Sequence, residues 1–230
     1  MSETFFVADT HFDHPNIIIH CKRQWLMDGD LNANGKWVNE AVRAARTAEM
    51  NVGVAASWNG VVGKDDTVYI VGDFAWKNHR KWVNELNGKK VFLVGSHDKM
   101  PQDCLDLFKP DIVLDDGEVL RLADVVKTMV QFREVHWQLY RQICGQWMHL
   151  DHWPKRTWQG KPRDSWCLTG HTHGRMKVCQ PGEIGGGLIL DVGWDVWKRP
   201  ISFGEVRAEM KRKYDMGATR YDAPTEVDRD

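Results

Sequence analysis

Five short apolar runs of this 230-residue chain each lead into a turn that carries metal-capable side chains, and this recurring pattern constrains the fold most. The runs FFVA, VYIV, VFLV, WMHL and WCL precede, in that order, the blocks DTH, GD, GSHD, DHWP and GHTHGR. Short apolar runs bounded by turn residues predict buried β-strands. In α/β folds, ligands bind just outside the carboxyl ends of strands, so we expect these side chains to gather at one site.

The last block, Gly170-His171-Thr172-His173, is weak evidence when it is taken alone. Residues i and i+2 share a face of an extended segment, so two such histidines can simply lie side by side on a surface. A metal site and a surface pair therefore fit this block equally well. The four companion blocks favour the metal site.

As a set, the five blocks resemble the signature of the calcineurin-like metallophosphoesterases, which reads Asp-x-His, Gly-Asp, Gly-Asn-His-Asp/Glu, a lone His, and Gly-His-x-His. The corresponding positions here follow the same order: 9–11, 72–73, 95–98, 152 and 170–173. The segments ADTHFDHPNII and WNGVVGKDDTVYIVGDFAW look most like those of small bacterial and phage phosphoesterases of that family. The resemblance covers residues 4–26, 49–99 and about 147–207.

The resemblance implies an α/β fold in which two mixed β-sheets pack as a sandwich flanked by helices. Periodicity alone supports only alternating helices and strands, with helices over about 38–58 and 79–87. We expect one domain over residues 1–213 and a disordered polar tail over 214–230. Two insertions, near 27–48 and 121–146, lie outside the family pattern; the second is expected to be helical. Such insertions wall the active site, mediate oligomers or do neither.

The resemblance also implies two divalent metal ions, drawn from Mn, Fe, Zn, Ni and Co. Asp73 would bridge them, because a carboxylate has two oxygens to share. Three residues would complete the first metal site, namely Asp9, His11 and His173. The second site would be completed by His152, His171 and the residue at position 96, which is Ser96 in this chain.

The expected catalytic residues are His97 and Asp98. His97 would lie near the leaving-group oxygen as a general acid or a phosphate-binding cation, and Asp98 would orient its ring. His14 and Arg175 are candidate substrate contacts, but a surface position near the site explains each of them equally well.

Ser96 departs from the family pattern, which has asparagine at this position. A serine hydroxyl is shorter than the asparagine amide and is a poor metal ligand, so the second metal site is expected to be weaker. Three explanations fit: a tolerated natural variant, a substitution introduced to slow turnover, or a true loss of activity. The intact remaining ligands argue against long-term decay.

Composition fits one ordinary globular domain, with 42% hydrophobic and 27% charged residues. A formal net charge of −1 gives a long nucleic acid little to hold. Five scattered cysteines without CxxC spacing favour reduced thiols and a cytoplasmic protein. No apolar run approaches the roughly 18 residues needed to cross a bilayer.

Two functions remain open at this point. The first is a dimetal phosphoesterase that hydrolyses a small phosphodiester or phosphomonoester, with nucleotides as the leading substrate class. The second is a catalytically weakened metal-binding protein that holds a phosphate-containing ligand or partner, an alternative motivated by Ser96. The oligomeric state is left open by the sequence.

Overall fold

A computed structural model describes residues 2–98, 112–113, 119–120, 132–176 and 187–216. Within these ranges the α-helices are α1 Pro15–His20, α2 Glu40–Asn59, α3 His79–Glu85, α4 Trp194–Trp197 and α5 Phe203–Asp215. The strands of the same ranges are β1 Thr4–Val7, β2 Thr67–Val71, β3 Lys89–Leu93, β4 Ile112–Val113, β5 Val119–Leu120, β6 Phe132–His136, β7 Gln138–Ile143, β8 Gln146–Asp151, β9 Trp166–Thr169, β10 Ile189–Asp191 and β11 Ile201–Ser202.

Two mixed sheets form the centre of the fold. The first has the strand order β11-β1-β2-β3-β6, in which β1, β2, β3 and β6 are parallel and β11 is antiparallel to β1. The second has the order β10-β9-β8-β7, in which β7 alone is antiparallel to its neighbour. Strands β4 and β5 form a separate antiparallel pair. The predicted α/β class with two mixed sheets is confirmed.

The two faces of the first sheet contribute to two different cores, because side chains alternate along a strand. Phe6 of β1 packs in a cluster that includes Leu150 of β8 and Leu168 of β9, so this cluster lies between the sheets. Phe5 and Val7 of the same strand belong to the cluster that the helices cover. The result is a sandwich of two sheets with helices on the outer face of the first.

Helix α2 covers the outer face of the first sheet. It begins after Asn39, whose side chain accepts a hydrogen bond from the Val42 N–H and caps the helix. Its fully buried residues Met50, Val54 and Trp58 recur every four positions and so share one face. The helices expected over about 38–58 and 79–87 are therefore confirmed as α2 and α3. None of the helices that the structure describes is both long and apolar enough to cross a bilayer.

The helix expected over residues 121–146 is wrong for residues 132–146, which form β6, β7 and the start of β8. Leu139 and Ile143 are buried four residues apart, a spacing that fits one face of a helix and one face of a strand equally well. Cys144 and Gly145 decide between the two, because both adopt positive φ, 50° and 83°, and form the two-residue turn of a hairpin. Residues 121–131 lie outside the described ranges.

The predicted tail over 214–230 is described only as far as residue 216. Helix α5 continues through Tyr214 to Asp215, so the predicted domain end at 213 falls two residues before the end of this helix. The helix is anchored by a capping box at its start, where Ser202 and Glu205 bond reciprocally to each other's backbone N–H. Residues 217–230 lie outside the described ranges.

Two valines of α2 test how the helix is held. Val54 is fully buried, whereas Val52, two residues earlier, is 69% exposed. Val54→Ala should lower the free energy of unfolding by about 2 kcal/mol because it removes buried methyl groups. Val52→Ala should change it by less than about 0.5 kcal/mol. Urea unfolding followed by circular dichroism measures both, and equal losses would contradict the packing described here.

Candidate metal centre

The carboxyl ends of the parallel strands of both sheets meet at one end of the sandwich. Ala8, at the end of β1, donates to the carbonyl of Val192 after β10 and accepts from the N–H of Trp194, at N···O distances of 3.0 and 2.7 Å. Asp9 donates to the Gly72 carbonyl beyond β2 at 3.0 Å. These bonds bring the first two sequence blocks together with the segment that follows β10.

The first donor group consists of Asp9, His11 and His173. One potential ligand atom from each residue lies within 4.8 Å of the others. The His11 ring stacks on the His173 ring with 5.2 Å between centroids. The Nε2 atom of His11 is buried and has no hydrogen-bond partner in the described part of the chain, as expected of a nitrogen whose partner is a metal ion.

The second donor group consists of Asp73, His152 and His171, with ligand atoms again within 4.8 Å of one another. Nδ1 of His152 lies 3.0 Å from the Val71 carbonyl oxygen, which can only accept, so Nδ1 carries a proton. Its Nε2 then faces the Asp73 carboxylate at 3.3 Å. Fixing the tautomer in this way is how ligating histidines are commonly prepared.

Asp73 lies between the two groups. Its Oδ2 atom is 3.6 Å from Nε2 of His11 in the first group and 3.3 Å from Nε2 of His152 in the second. Its Oδ1 atom accepts the backbone N–H of His97 at 2.7 Å. Asp73, the predicted bridging residue, therefore lies where a carboxylate shared by two ions would be needed. The carboxylate and imidazole donors of the two groups suit first-row divalent metals.

Burial and close charges shift the pKa values of these groups. Burial raises the pKa of Asp9 to about 7. Burial also opposes ionisation of Asp73, but the neighbouring His152 and His11 outweigh it and lower the pKa of this carboxyl below its ordinary value. For His152, burial is outweighed by Asp73, and the pKa rises to about 9. A divalent cation binding here therefore has to displace protons.

Five predicted ligands hold the left-handed backbone conformation, which non-glycine residues seldom adopt. Their φ angles are 56° at Asp9, 52° at His11, 52° at Asp73, 68° at His171 and 49° at His173. Each such residue costs on the order of 1 kcal/mol, and residues of this kind cluster at functional sites. Their concentration at one end of the sandwich supports a functional role for this site.

Close approach between the blocks explains two of their glycines. A Cβ atom on Gly95 would lie 2.3 Å from the backbone nitrogen of Asp73. A Cβ atom on Gly170 would lie 2.6 Å from that of Ala8 and 2.7 Å from Oδ2 of Asp9. Any larger residue would push the blocks apart, so the glycines permit the short distances of the site.

The block 95–98 closes one side of the centre. The Ser96 hydroxyl lies 3.1 Å from Oδ2 of Asp73 and 3.5 Å from Nε2 of His152, so it faces the second donor group as expected. We expected Asp98 to orient the ring of His97. In the structure its carboxylate instead accepts three backbone N–H groups, those of Asp73, Phe74 and Gly95, and so braces the loops of the site.

The two candidate substrate contacts differ in their position. His14 lies at the centre, with its ring centroid 5.4 Å from that of His11 and 5.8 Å from that of His97. Burial, assisted by His97, lowers its pKa to about 4, so the ring is neutral near pH 7. The exposed Arg175 instead donates to the His20 carbonyl at the end of α1, at 3.0 Å.

Asp195 and Arg23 belong to the site, although the sequence did not single them out. Asp195 Oδ2 lies 2.7 Å from Nδ1 of His173 and raises the pKa of that ring to about 10 despite its burial. The fully buried Arg23 donates two hydrogen bonds to the Asp195 carboxylate, of 2.9 and 2.8 Å. It also donates to the backbone carbonyls of Asp9 and Thr10. A carboxylate behind a histidine is the arrangement that orients ligating imidazoles.

Cys21 forms a third possible donor group with His173 and Asp195. Both carboxylate oxygens of Asp195 already accept hydrogen bonds from Arg23. Asp195 is therefore better placed to orient the His173 ring than to bind a metal ion.

The sequence did carry a signal for this region. Leu188-Ile189-Leu190 is a further apolar run, and it is followed by a carboxylate and a glycine in Asp191-Val192-Gly193. Arg23 carries no comparable signal.

Asp195→Asn tests the orienting role. Losing the carboxylate should weaken the binding of Mn²⁺ by about 10- to 100-fold while the fold is kept. Asp30→Asn is the matched control, because Asp30 is also buried and paired with an arginine, Arg46, but its partners, Arg46 and the Met27 N–H, lie outside both donor groups. Calorimetric titration with Mn²⁺ measures both variants, and unchanged affinity in Asp195→Asn would contradict the role.

No family model matches the chain. An uncharacterized protein of Methanocaldococcus jannaschii, MJ1445, is 35% identical over 104 residues, which are 43% of this chain; the chain spans about half of that protein, 48%. The Gene 66 protein of Mycobacterium phage L5 is 26% identical over 226 residues, covering 90% of this chain and 93% of that protein. The crystal structure of AQ665 from Aquifex aeolicus, a protein of unknown function, is similar with a TM-score of 0.56 at 18% identity, over 91% of this chain and all of that one.

Proposed function

We propose that the protein is a dimetal phosphoesterase of the calcineurin-like type that hydrolyses a small phosphodiester or phosphomonoester, with nucleotides as the leading substrate class. The observation that carries the proposal is the position of Asp73. Its Oδ2 atom faces His11 of one donor group at 3.6 Å and His152 of the other at 3.3 Å. A carboxylate between two such groups is what a pair of metal ions requires.

Two divalent ions held side by side would supply a water of lowered pKa and positive charge for the phosphate oxygens. The residues of the chain would hold this centre in place. The carbonyl of Val71 and the carboxylate of Asp195 fix the rings of His152 and His173, one in each donor group. Asp9, His11 and Asp73 are buried, which strengthens the interaction between charges.

His97 is the residue proposed to meet the leaving group. Its backbone N–H is bonded to Asp73 Oδ1, so its Cα atom is held beside the centre, while its side chain is exposed and accessible to substrate. In its protonated form the ring can hold a phosphate oxygen or give its proton to the departing oxygen. His14 would border the same region as a neutral ring.

The alternative of a weakened metal-binding protein rests on Ser96. Its hydroxyl reaches the second donor group, but a neutral hydroxyl is a poorer ligand than the amide oxygen that the resemblance implies at this position. A second metal bound loosely would slow turnover without preventing the binding of a phosphate ligand. The remaining donors of both groups are in place, which favours the enzyme.

The proposed setting is the cytoplasm. Cys21, Cys144 and Cys167, the cysteines within the described ranges, are free thiols, in keeping with a reducing compartment; Cys104 and Cys179 lie outside those ranges. The net charge of −1 favours a small phosphate ester over a long nucleic acid.

Turnover of bis-p-nitrophenyl phosphate and p-nitrophenyl phosphate with Mn²⁺, Ni²⁺, Co²⁺, Zn²⁺ or Fe²⁺ tests the proposed function. At least one metal should support hydrolysis, and Asp73→Asn should lower kcat/KM by at least about 100-fold because it disturbs both metal sites at once. Asp30→Asn serves as the control and should retain full activity. Absence of turnover with every metal, in the wild type and in Ser96→Asn, would contradict the enzyme proposal.

Ser96→Asn measures how far Ser96 weakens the second metal site. The added amide oxygen should tighten binding of the second Mn²⁺ by about tenfold or more and raise kcat. Calorimetry gives the stoichiometry, and the p-nitrophenyl assay gives the rate. Equal stoichiometry and equal rates in the two proteins would show that Ser96 is no handicap.

A further inference from the structure

A cleft of about 580 Å³ lies beside the candidate metal centre. One wall is the first half of α2, including Arg43 and Thr47. The other is the segment after β2 together with the start of α3, including Trp76, Lys77 and Lys81. This volume is within the roughly 300–1,000 Å³ of small-molecule sites in proteins. The expected insertion near 27–48 thus contributes a wall to the region of the site.

Asp13 fixes the floor of this cleft. Its carboxylate accepts from the Asn51 side chain on α2 at 2.6 Å, from the Asn78 side chain at 2.9 Å and from the Trp82 indole at 2.9 Å. The residue thereby ties both walls to the loop that follows His11. A floor held by three donors is a preformed site, and its negative charge is already satisfied.

Two residues that line the cleft also contact His97. His14 and Trp76 both line it, and the ring centroids of the two residues lie 5.8 and 5.9 Å from that of His97. His97 is the residue proposed to meet the leaving-group oxygen. The part of the substrate that would enter the cleft is therefore the leaving group.

The charges around the cleft select for an anion. Arg43 pairs with Glu40 at 3.0 Å, and Asp13 is satisfied as described. The other two cationic residues of the cleft are Lys77 and Lys81, and neither forms an ion pair with a described residue. Lys81 Nζ lies 4.2 Å from the centroid of the Trp82 ring. Two such ammonium groups suit a phosphate, and an indole in the lining suits a base.

We propose that this cleft binds a nucleotide as the leaving group, with its base against Trp76 and a second phosphate at Lys77 and Lys81. The proposal rests on the proposed phosphoesterase function and names its substrate class as a short nucleotide ester that carries a further phosphate. The scissile phosphate would lie at the metal centre. A water oxygen would bond to its phosphorus, the P–O bond to the nucleotide would break, and a proton released by the water would pass to the departing oxygen, so that the nucleotide leaves into the cleft as an alcohol.

Dinucleotides test the proposal, with the metal-loaded protein and TpT, pTpT and TpTp as substrates. Chromatography of the products identifies the nucleoside that leaves, and kcat/KM should be about tenfold higher when that nucleoside carries the extra phosphate. In the double variant Lys77→Ala/Lys81→Ala this ratio should fall to about 1, through KM. The matched double variant Lys64→Ala/Lys89→Ala, at the other end of β2 and β3, should keep the ratio.

Three outcomes would overturn the proposal. The cleft would be rejected, and the phosphoesterase function kept, if bis-p-nitrophenyl phosphate is hydrolysed but the kcat/KM ratio is near 1 in the wild type. The same conclusion would follow if the ratio is unchanged in Lys77→Ala/Lys81→Ala. Absence of hydrolysis of every substrate with every metal would reject both.

Trp76→Ala should also raise KM for TpT more than Trp76→Phe does, because phenylalanine keeps a ring for the base.

Discussion

The pairing of Ala8 with the chain after β10 is the interaction on which the rest of the site depends. Ala8 donates to Val192 and accepts from Trp194, and this backbone contact joins the edge of the second sheet to β1 of the first. Once the sheets are joined here, Asp9 lies between the Gly72 carbonyl, to which it donates, and the N–H of His171, which its carboxylate accepts. Each donor group combines residues that follow strands of both sheets, so both groups form only where the sheets are joined.

Buried charge at this junction is balanced by a few groups that serve several purposes. Arg23 bonds to the carbonyls of Asp9 and Thr10 and also holds Asp195, so one side chain fixes both the strand end and the carboxylate behind His173. Asp98 likewise bonds to three N–H groups of the two loops that carry Asp73 and Ser96. An unpaired charge at this depth would cost several kcal/mol, so these partners are part of the site's stability as well as its geometry.

Much of this arrangement could be predicted from the sequence, because its signals are local. Short apolar runs that end in metal-capable side chains marked five strands, β1, β2, β3, β8 and β9, and the side chains after them do meet. The hairpin at Cys144-Gly145 was missed because a spacing of four between Leu139 and Ile143 fits a helix and a strand equally well. Arg23 and Asp195 could not be paired in advance, since 172 residues separate them and only the folded chain brings them together.

Electron paramagnetic resonance of the protein loaded with two equivalents of Mn²⁺ tests the central claim most directly. If Asp73 is shared by two ions, the spectrum should show an exchange-coupled pair, and Asp73→Asn should convert it to the six-line signal of isolated Mn²⁺. A wild-type spectrum that contains only isolated Mn²⁺ at full occupancy would contradict the account. The same would follow if the chain bound a single ion.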